Sequence, residues 1–220
     1  MNVVIIVAHA DDEALGCGGT IARHVAEGDN VSVIYMADGI TSRTDEKIYI
    51  EQRQSAAEKV QSVFGVNESY FLGLPDNRMD SLPLLDIVQP LEKIINELAP
   101  EIIYTHHYGD LNIDHRVTHN AVMTSCRPQP GSSVRIILTF EVMSSTDWSS
   151  PSLAPFLPNH FVDISDYLHV KKQALDVYEL EMRAVPHSRN KEHLSLLAAH
   201  HGHCMGIAAA EAFMVIRYLR

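Results

Sequence analysis

The sequence is poor in the residues that would tie it to an extracellular, membrane or nucleic-acid setting. It has only three cysteines in 220 residues, Cys17, Cys126 and Cys204. An odd count with no paired spacing argues against a disulfide framework and for reduced thiols in the cytoplasm. No apolar run reaches the roughly 20 residues of a bilayer-crossing helix, so no membrane span is expected. Cations are outnumbered, with 17 Lys and Arg against 28 Asp and Glu and a formal net charge of −11. Nucleic-acid binding neutralises phosphates with clustered Lys and Arg, so no nucleic-acid partner is expected either. Met1 leads directly into a strand pattern with no basic, apolar leader, which sets the expectation of an unexported protein. Internal repeats and low-complexity segments are also missing.

What is present is enough apolar material, 46% of the residues, for a sizeable core. Strand-like runs alternate with helix-like ones. Val3–Ala8, Asn30–Ala37, "SYFLGL", "EIIYTH", "VRIILTFEV" and "HFVDIS" read as strands. Ile21–Gly28 closes a first helix, and Glu46–Phe64, Leu84–Leu98 and His115–Cys126 follow. Asp166–Met182 and Ala208–Leu219 also read as helices, with a weaker helical pattern over His193–His201. Such alternation predicts an α/β fold, a Rossmann-like three-layer sandwich with a mostly parallel sheet. One domain over residues 1–220 is expected, with 144–220 as a less regular portion capping the sheet's edge.

In an open parallel sheet, ligands bind beyond the carboxyl ends of the strands, where strand order reverses. Two polar clusters fall at such ends. "AHADDE" follows the first strand and "THHYGDLNIDHR" follows the fourth. His9 and Asp12 supply a nitrogen and an oxygen from one loop, and His115 opens the next helix. Two histidines and a carboxylate leave the fourth position of a tetrahedral zinc site open, as catalytic zinc sites do. Asp11, beside one ligand, is placed to take a proton from water, and Asp114, beside His115, is the candidate to orient that imidazole. Gly16, Gly18 and Gly19 do not have phosphate-loop spacing and are read as close packing of helix on sheet. Cys17 among them is read as a small buried filler. Thirteen histidines are the compositional excess. The His200, His201 and His203 group is read as a solvated, flexible turn.

These residues resemble the PIG-L (LmbE-like) zinc deacetylases, which remove N-acetyl groups from amino sugars. "AHADDEALGCGGT" resembles the family's A-H-P-D-D-E motif, and "DLNIDHRVTHNAV" its second metal motif. Weaker similarity continues through "EQRQSAAEKV", "YFLGLPDNRMD", "FEVMSSTDW" and "AAAEAFMVIR". The resemblance implies one zinc per chain on His9, Asp12 and His115, with Asp11 as general base. It further implies Arg53, Asp76 and Asn112 as substrate-binding positions and a small N-acetyl sugar as substrate. Two positions depart from the family pattern. Ala10 replaces a proline, and Asn112 stands where many members carry a histidine thought to act as acid. Asn cannot titrate, so His107 and His187 become the candidates for that role. Two rival readings are a metal hydrolase of another substrate, such as a phosphoester, and a non-catalytic sugar- or nucleotide-binding domain. Homo-oligomer formation is left open by the sequence.

Overall fold

The computed structural model describes residues 1–39 and 46–220. Seven strands form one sheet: β1 (Asn2–Val7), β2 (Asn30–Ala37), β3 (Glu68–Leu74), β4 (Ile102–His106), β5 (Ile136–Phe140), β6 (His160–Asp163) and β7 (Ala210–Tyr218). Their order is β3-β2-β1-β4-β5-β7-β6. The first five pair in parallel, whereas β7 runs antiparallel to both β5 and β6. The chain winds outward from β1 to β3, then returns to place β4 on the other side of β1. That reversal puts the ends of β1 and β4 side by side, where a doubly wound sheet opens a crevice.

Burial on both faces explains the continuous apolar run of β1. Val3, Ile5 and Val7 join one core with residues of α1 (Asp12–Ala26), α2 (Glu46–Phe64) and α5 (Leu168–Val177). Val4 and Ile6 point the other way, into a core shared with α3 (Leu84–Leu98) and α4 (Ile113–Ser125). The period-two alternation of strand side chains thus sorts one sequence run into two cores.

The segment beyond Ser144, expected to cap the sheet's edge, supplies two strands of the sheet. Ala208–Leu219, expected as a helix, is instead the strand β7. Its Phe-Met-Val-Ile run carries no periodicity that separates helix from strand; pairing with β5 and β6 makes it a strand, with Phe213 buried in the first core and Val215 half-buried against it. Conversely, His200, His201 and His203 lie within helix α6 (Lys191–Met205), not in a turn. His201 Nε2 sits 2.9 Å from Glu141 Oε1.

Helix α1 is broken at Cys17, whose φ of −144° leaves the helical region. The break orphans backbone groups, and a buried ion pair satisfies them. Glu211 on β7 accepts from the amides of Gly19 at 3.0 Å and Thr20 at 2.7 Å. Lys171 Nζ donates to Glu211 at 2.6 Å and to the Leu15 carbonyl at 2.8 Å. The glycines serve packing, as expected. A Cβ on Gly16 would lie 2.2 Å from the Phe140 ring, and one on Gly19 would lie 2.8 Å from Ile164. Cys17 is fully buried beside them.

Removing one partner of a buried pair strands the other charge, typically at a cost of about 3–5 kcal/mol. Glu211→Ala should therefore destabilise the protein by that order in urea titration. An unchanged midpoint would show that the pair does not hold the kink.

Candidate active site

The site begins where β1 stops. Ala8 N–H donates to His106 Nε2 at 2.9 Å, so the last strand amide is turned toward the end of β4. The turn that follows is stitched by its own carboxylates. Asp12 Oδ2 accepts from His9 N–H at 2.9 Å, and Glu13 Oε2 from Asp11 N–H at 3.1 Å. Asp11 itself has φ 138°, a conformation that side chains rarely adopt, and such strain concentrates at functional sites. Glu13 is fully buried and also accepts from Tyr178 Oη at 2.7 Å. Burial pushes its carboxyl up to about 7, against the Tyr178 hydrogen bond. The three carboxylates of one loop therefore have different surroundings.

His9, Asp12 and His115 converge. Asp12 Oδ2 lies 3.3 Å from His9 Nδ1 and 3.3 Å from His115 Nε2, and the three side chains can offer ligand atoms within 4.8 Å of one another. Each histidine turns its other nitrogen to a carboxylate. His9 Nε2 is 3.1 Å from Asp114, and His115 Nδ1 is 3.2 Å from Asp110. That pairing of imidazole with carboxylate is the arrangement that fixes ring orientation at metal sites. The donor set, two imidazole nitrogens and one carboxylate oxygen, fits a divalent cation of the zinc class. Burial opposes protonation of His115, yet Asp12 and Asp110 push its pKa up to about 9.

The orienting carboxylate of His115 is Asp110, not its neighbour Asp114. Asp110 is anchored by the hydroxyls of Ser145 and, at 2.6 Å, Thr146. Burial would raise its pKa, but the hydrogen bond and charge of His115, with the two hydroxyls adding to them, hold the carboxyl down at about 2. Asp114 instead serves His9 and accepts from the amides of Asn77 at 2.6 Å and Met79 at 3.1 Å. No spacing rule pointed to Asp110, Ser145 or Thr146.

Beside the three donors opens a cleft of about 440 Å³, its solvent mouth included, lined by His9, Asp11, Asp12, Arg53, Asp76, Asn77, Asn112, His115 and Arg189. Every lining side chain is polar. Asp11 is only 2% exposed, and burial raises its pKa against the pull of Arg189. Arg53, on α2, donates to the Gly39 carbonyl at 2.8 Å and lies 3.1 Å from Glu181. Asp76 Oδ1 lies 3.0 Å from His9 Nε2. Asn112 caps α4, its Oδ1 accepting from Asp114 N–H at 2.8 Å. His107 and His187 do not line this cleft. His107 Nε2 is 2.8 Å from the Ala154 carbonyl, and His187 packs edge-on against Trp148 and accepts from the Arg189 amide.

Fold and site together define a class: a doubly wound α/β protein in which two histidines and one carboxylate converge in a set that could hold a metal ion, with a second, buried carboxylate alongside. The chain belongs to the PIG-L family, whose sequence profile, described as GlcNAc-PI de-N-acetylase, matches residues 4–126. It is 32% identical over 180 residues to the uncharacterized deacetylase YaiS of Escherichia coli, covering 79% of this chain and 88% of that one. In structure it is similar to the N,N'-diacetylchitobiose deacetylase from Pyrococcus horikoshii, with TM-score 0.78, 23% identity and coverage of 98% and 83% of the two chains. The same fold is seen in GalB, a 4-carboxy-2-hydroxymuconate hydratase from Pseudomonas putida, with TM-score 0.76, 18% identity and coverage of 98% and 96%. Likeness at that identity concerns the fold alone. Among the described residues no helix is long and apolar enough to cross a membrane.

Loss of a carboxylate that orients a metal-binding histidine typically costs about 10–100-fold in metal affinity. Asp110→Asn should weaken zinc binding by that factor in competition titration, with the fold intact. Unaltered affinity would mean that Asp110 plays no part in holding His115.

Proposed function

We propose that this protein is a zinc-dependent N-deacetylase that hydrolyses the acetamide of an N-acetylated amino sugar to acetate and a free amine. The observation that carries this reading is Asp11, which lies 2% exposed at a wholly polar cleft, next in sequence to the ligand Asp12. A site that only bound a sugar would have no use for a buried, strained carboxylate beside a cation position. The polar lining suits a hydroxyl-rich ligand, and membership of the PIG-L family supports the same substrate class.

His9, Asp12 and His115 would hold one cation per chain. Bound there, it would polarise the acetyl carbonyl and make water more acidic. Asp11 accepts the proton from the water that attacks the carbonyl carbon. The same carboxyl then delivers that proton to the amine as the C–N bond breaks, which balances the reaction without a second titrating group. Asn112 has its Oδ1 committed to the Asp114 amide, so the Nδ2 end is the one available to donate to the carbonyl oxygen as charge develops. Arg53 and Asp76 hydrogen-bond the sugar hydroxyls and fix which acetamide reaches the reacting centre.

Asp11→Asn keeps the size of the side chain but cannot accept the proton. Loss of a general base typically costs about 10²–10⁴-fold in rate. The variant should retain its zinc and lose acetate release by that order on a panel of N-acetyl sugars, whereas Asn112→Ala should cost less. Zinc lost from Asp11→Asn would exchange the roles of Asp11 and Asp12. Zinc-loaded wild type that frees acetate from no N-acetyl sugar would sink the deacetylase reading.

A further inference from the structure

Arg189 stands apart in the cleft because it arrives from the far end of the chain, in the loop between α5 and α6. Its Nη1 donates to Asp11 Oδ2 at 2.8 Å. Its Nε donates to Ser144 Oγ at 3.0 Å, which fixes the plane of the guanidinium from the other side. The backbone is also held, since Arg183 N–H donates to the Arg189 carbonyl at 2.9 Å and the next residue, Asn190, caps α6 through His193 N–H at 2.8 Å. Among the described residues Arg53 is the other guanidinium near Asp11, but it lies 3.8 Å away and is engaged by Gly39 and Glu181.

Three observations bear on what Arg189 does. Asp11 has φ 138°, so its backbone does not by itself aim the side chain along a relaxed path. Its carboxylate is buried, with Arg189 Nη1 held against one of its oxygens at 2.8 Å. Two donors that Arg189 brings to the cleft are also already committed, Nη1 to Asp11 at 2.8 Å and Nε to Ser144 at 3.0 Å. A second guanidinium there is better explained by Asp11 than by a ligand.

We propose that Arg189 is a positioning residue: it clamps Oδ2 of Asp11 and so fixes the rotation of the carboxylate that faces the cleft. The kinetic part rests on the deacetylase reading, whereas the geometric part does not.

The test uses the zinc-loaded, full-length protein carrying Arg189→Met, which keeps length and removes the donors, and Arg189→Lys, which keeps the charge. Misplacement of a reacting group by about 1 Å can cost on the order of 10²-fold. Arg189→Met should therefore lower kcat up to about that factor with KM little changed, and Arg189→Lys should recover part of it. Added to Asp11→Asn, Arg189→Met should cost nothing further, because the group it positions is already disabled. A raised KM with kcat preserved, or a full further loss in the Asp11→Asn background, would overturn the proposal in favour of direct contact with substrate. A crystal structure of zinc-loaded Arg189→Met gives a readout independent of activity. The Asp11 carboxylate should be rotated or split between orientations, and an unmoved carboxylate would overturn the clamp. If Arg189→Met does not fold, the same structure and kcat/KM split on Arg189→Lys decide the matter. Wild type without acetate release would count against the deacetylase reading, and the crystal structures would still judge Arg189.

Discussion

The structure depends on one buried carboxylate. Asp12 is 1% exposed, and an ion so far from water costs several kcal/mol unless its surroundings replace hydration. Its Oδ2 accepts from His9 N–H at 2.9 Å and has three imidazole nitrogens at 3.3, 3.3 and 3.4 Å, from His9, His115 and His106. These do not contribute alike. His106 Nε2 is already the acceptor for Ala8 N–H, which makes that ring neutral, and burial keeps its pKa well below the usual value. It acts as a flat wall, stacked 3.9 Å from His115. The positive charge that Asp12 requires must come from His9 and His115 as imidazolium ions, or from a cation they share with it.

That requirement organises the shell outside it. His9 and His115 each present the remote nitrogen to a further buried acid, and each of those acids draws in a loop. Asp114 gathers the amides of Asn77 and Met79 from the connection after β3, and Asp110 gathers Ser145 and Thr146 from the connection after β5. Loops that follow four parallel strands, β1, β3, β4 and β5, are thus joined through two histidines. Asp11 extends the set to a fifth region through Arg189, 178 residues away in sequence. Organisation around a central charge makes the end of the sheet a coupled unit, in which single substitutions are not expected to add independently.

How much of this was legible in the sequence follows from the range of each interaction. The β1 run, the Asp-Asp-Glu turn and His115 were readable because local order places them: a strand covered on both faces, then a helix start at the crevice. The partner of His115 was not. Residues adjacent in a helix do not face one another, so Asp114 beside His115 diverges from it, while Asp110 in the preceding loop can curl back. β7 was misread as a helix because its identity comes from insertion between β5 and β6, a tertiary fact that overrides weak local preference. Arg189 carried no signal at all, since nothing in "PHSRNK" marks an arginine whose partner lies near the amino end.

Asn112 connects these strands of argument. At this position, where the family resemblance leads one to expect a histidine, asparagine is a strong helix cap, and its Oδ1 secures the amide of Asp114 at the start of α4. The change removes a titrating group from the cleft while firming the helix turn that carries both Asp114 and His115. In the deacetylase mechanism proposed above, proton handling is then concentrated on Asp11. A single carboxyl that both takes and returns a proton must stay in one place through two opposite transfers, while its backbone is strained and its charge is out of water. A fixed guanidinium on one oxygen meets that demand, because it orients the group without competing for the other oxygen. The asparagine at the helix cap and the arginine from the α5–α6 loop therefore read as two parts of one solution to the same problem.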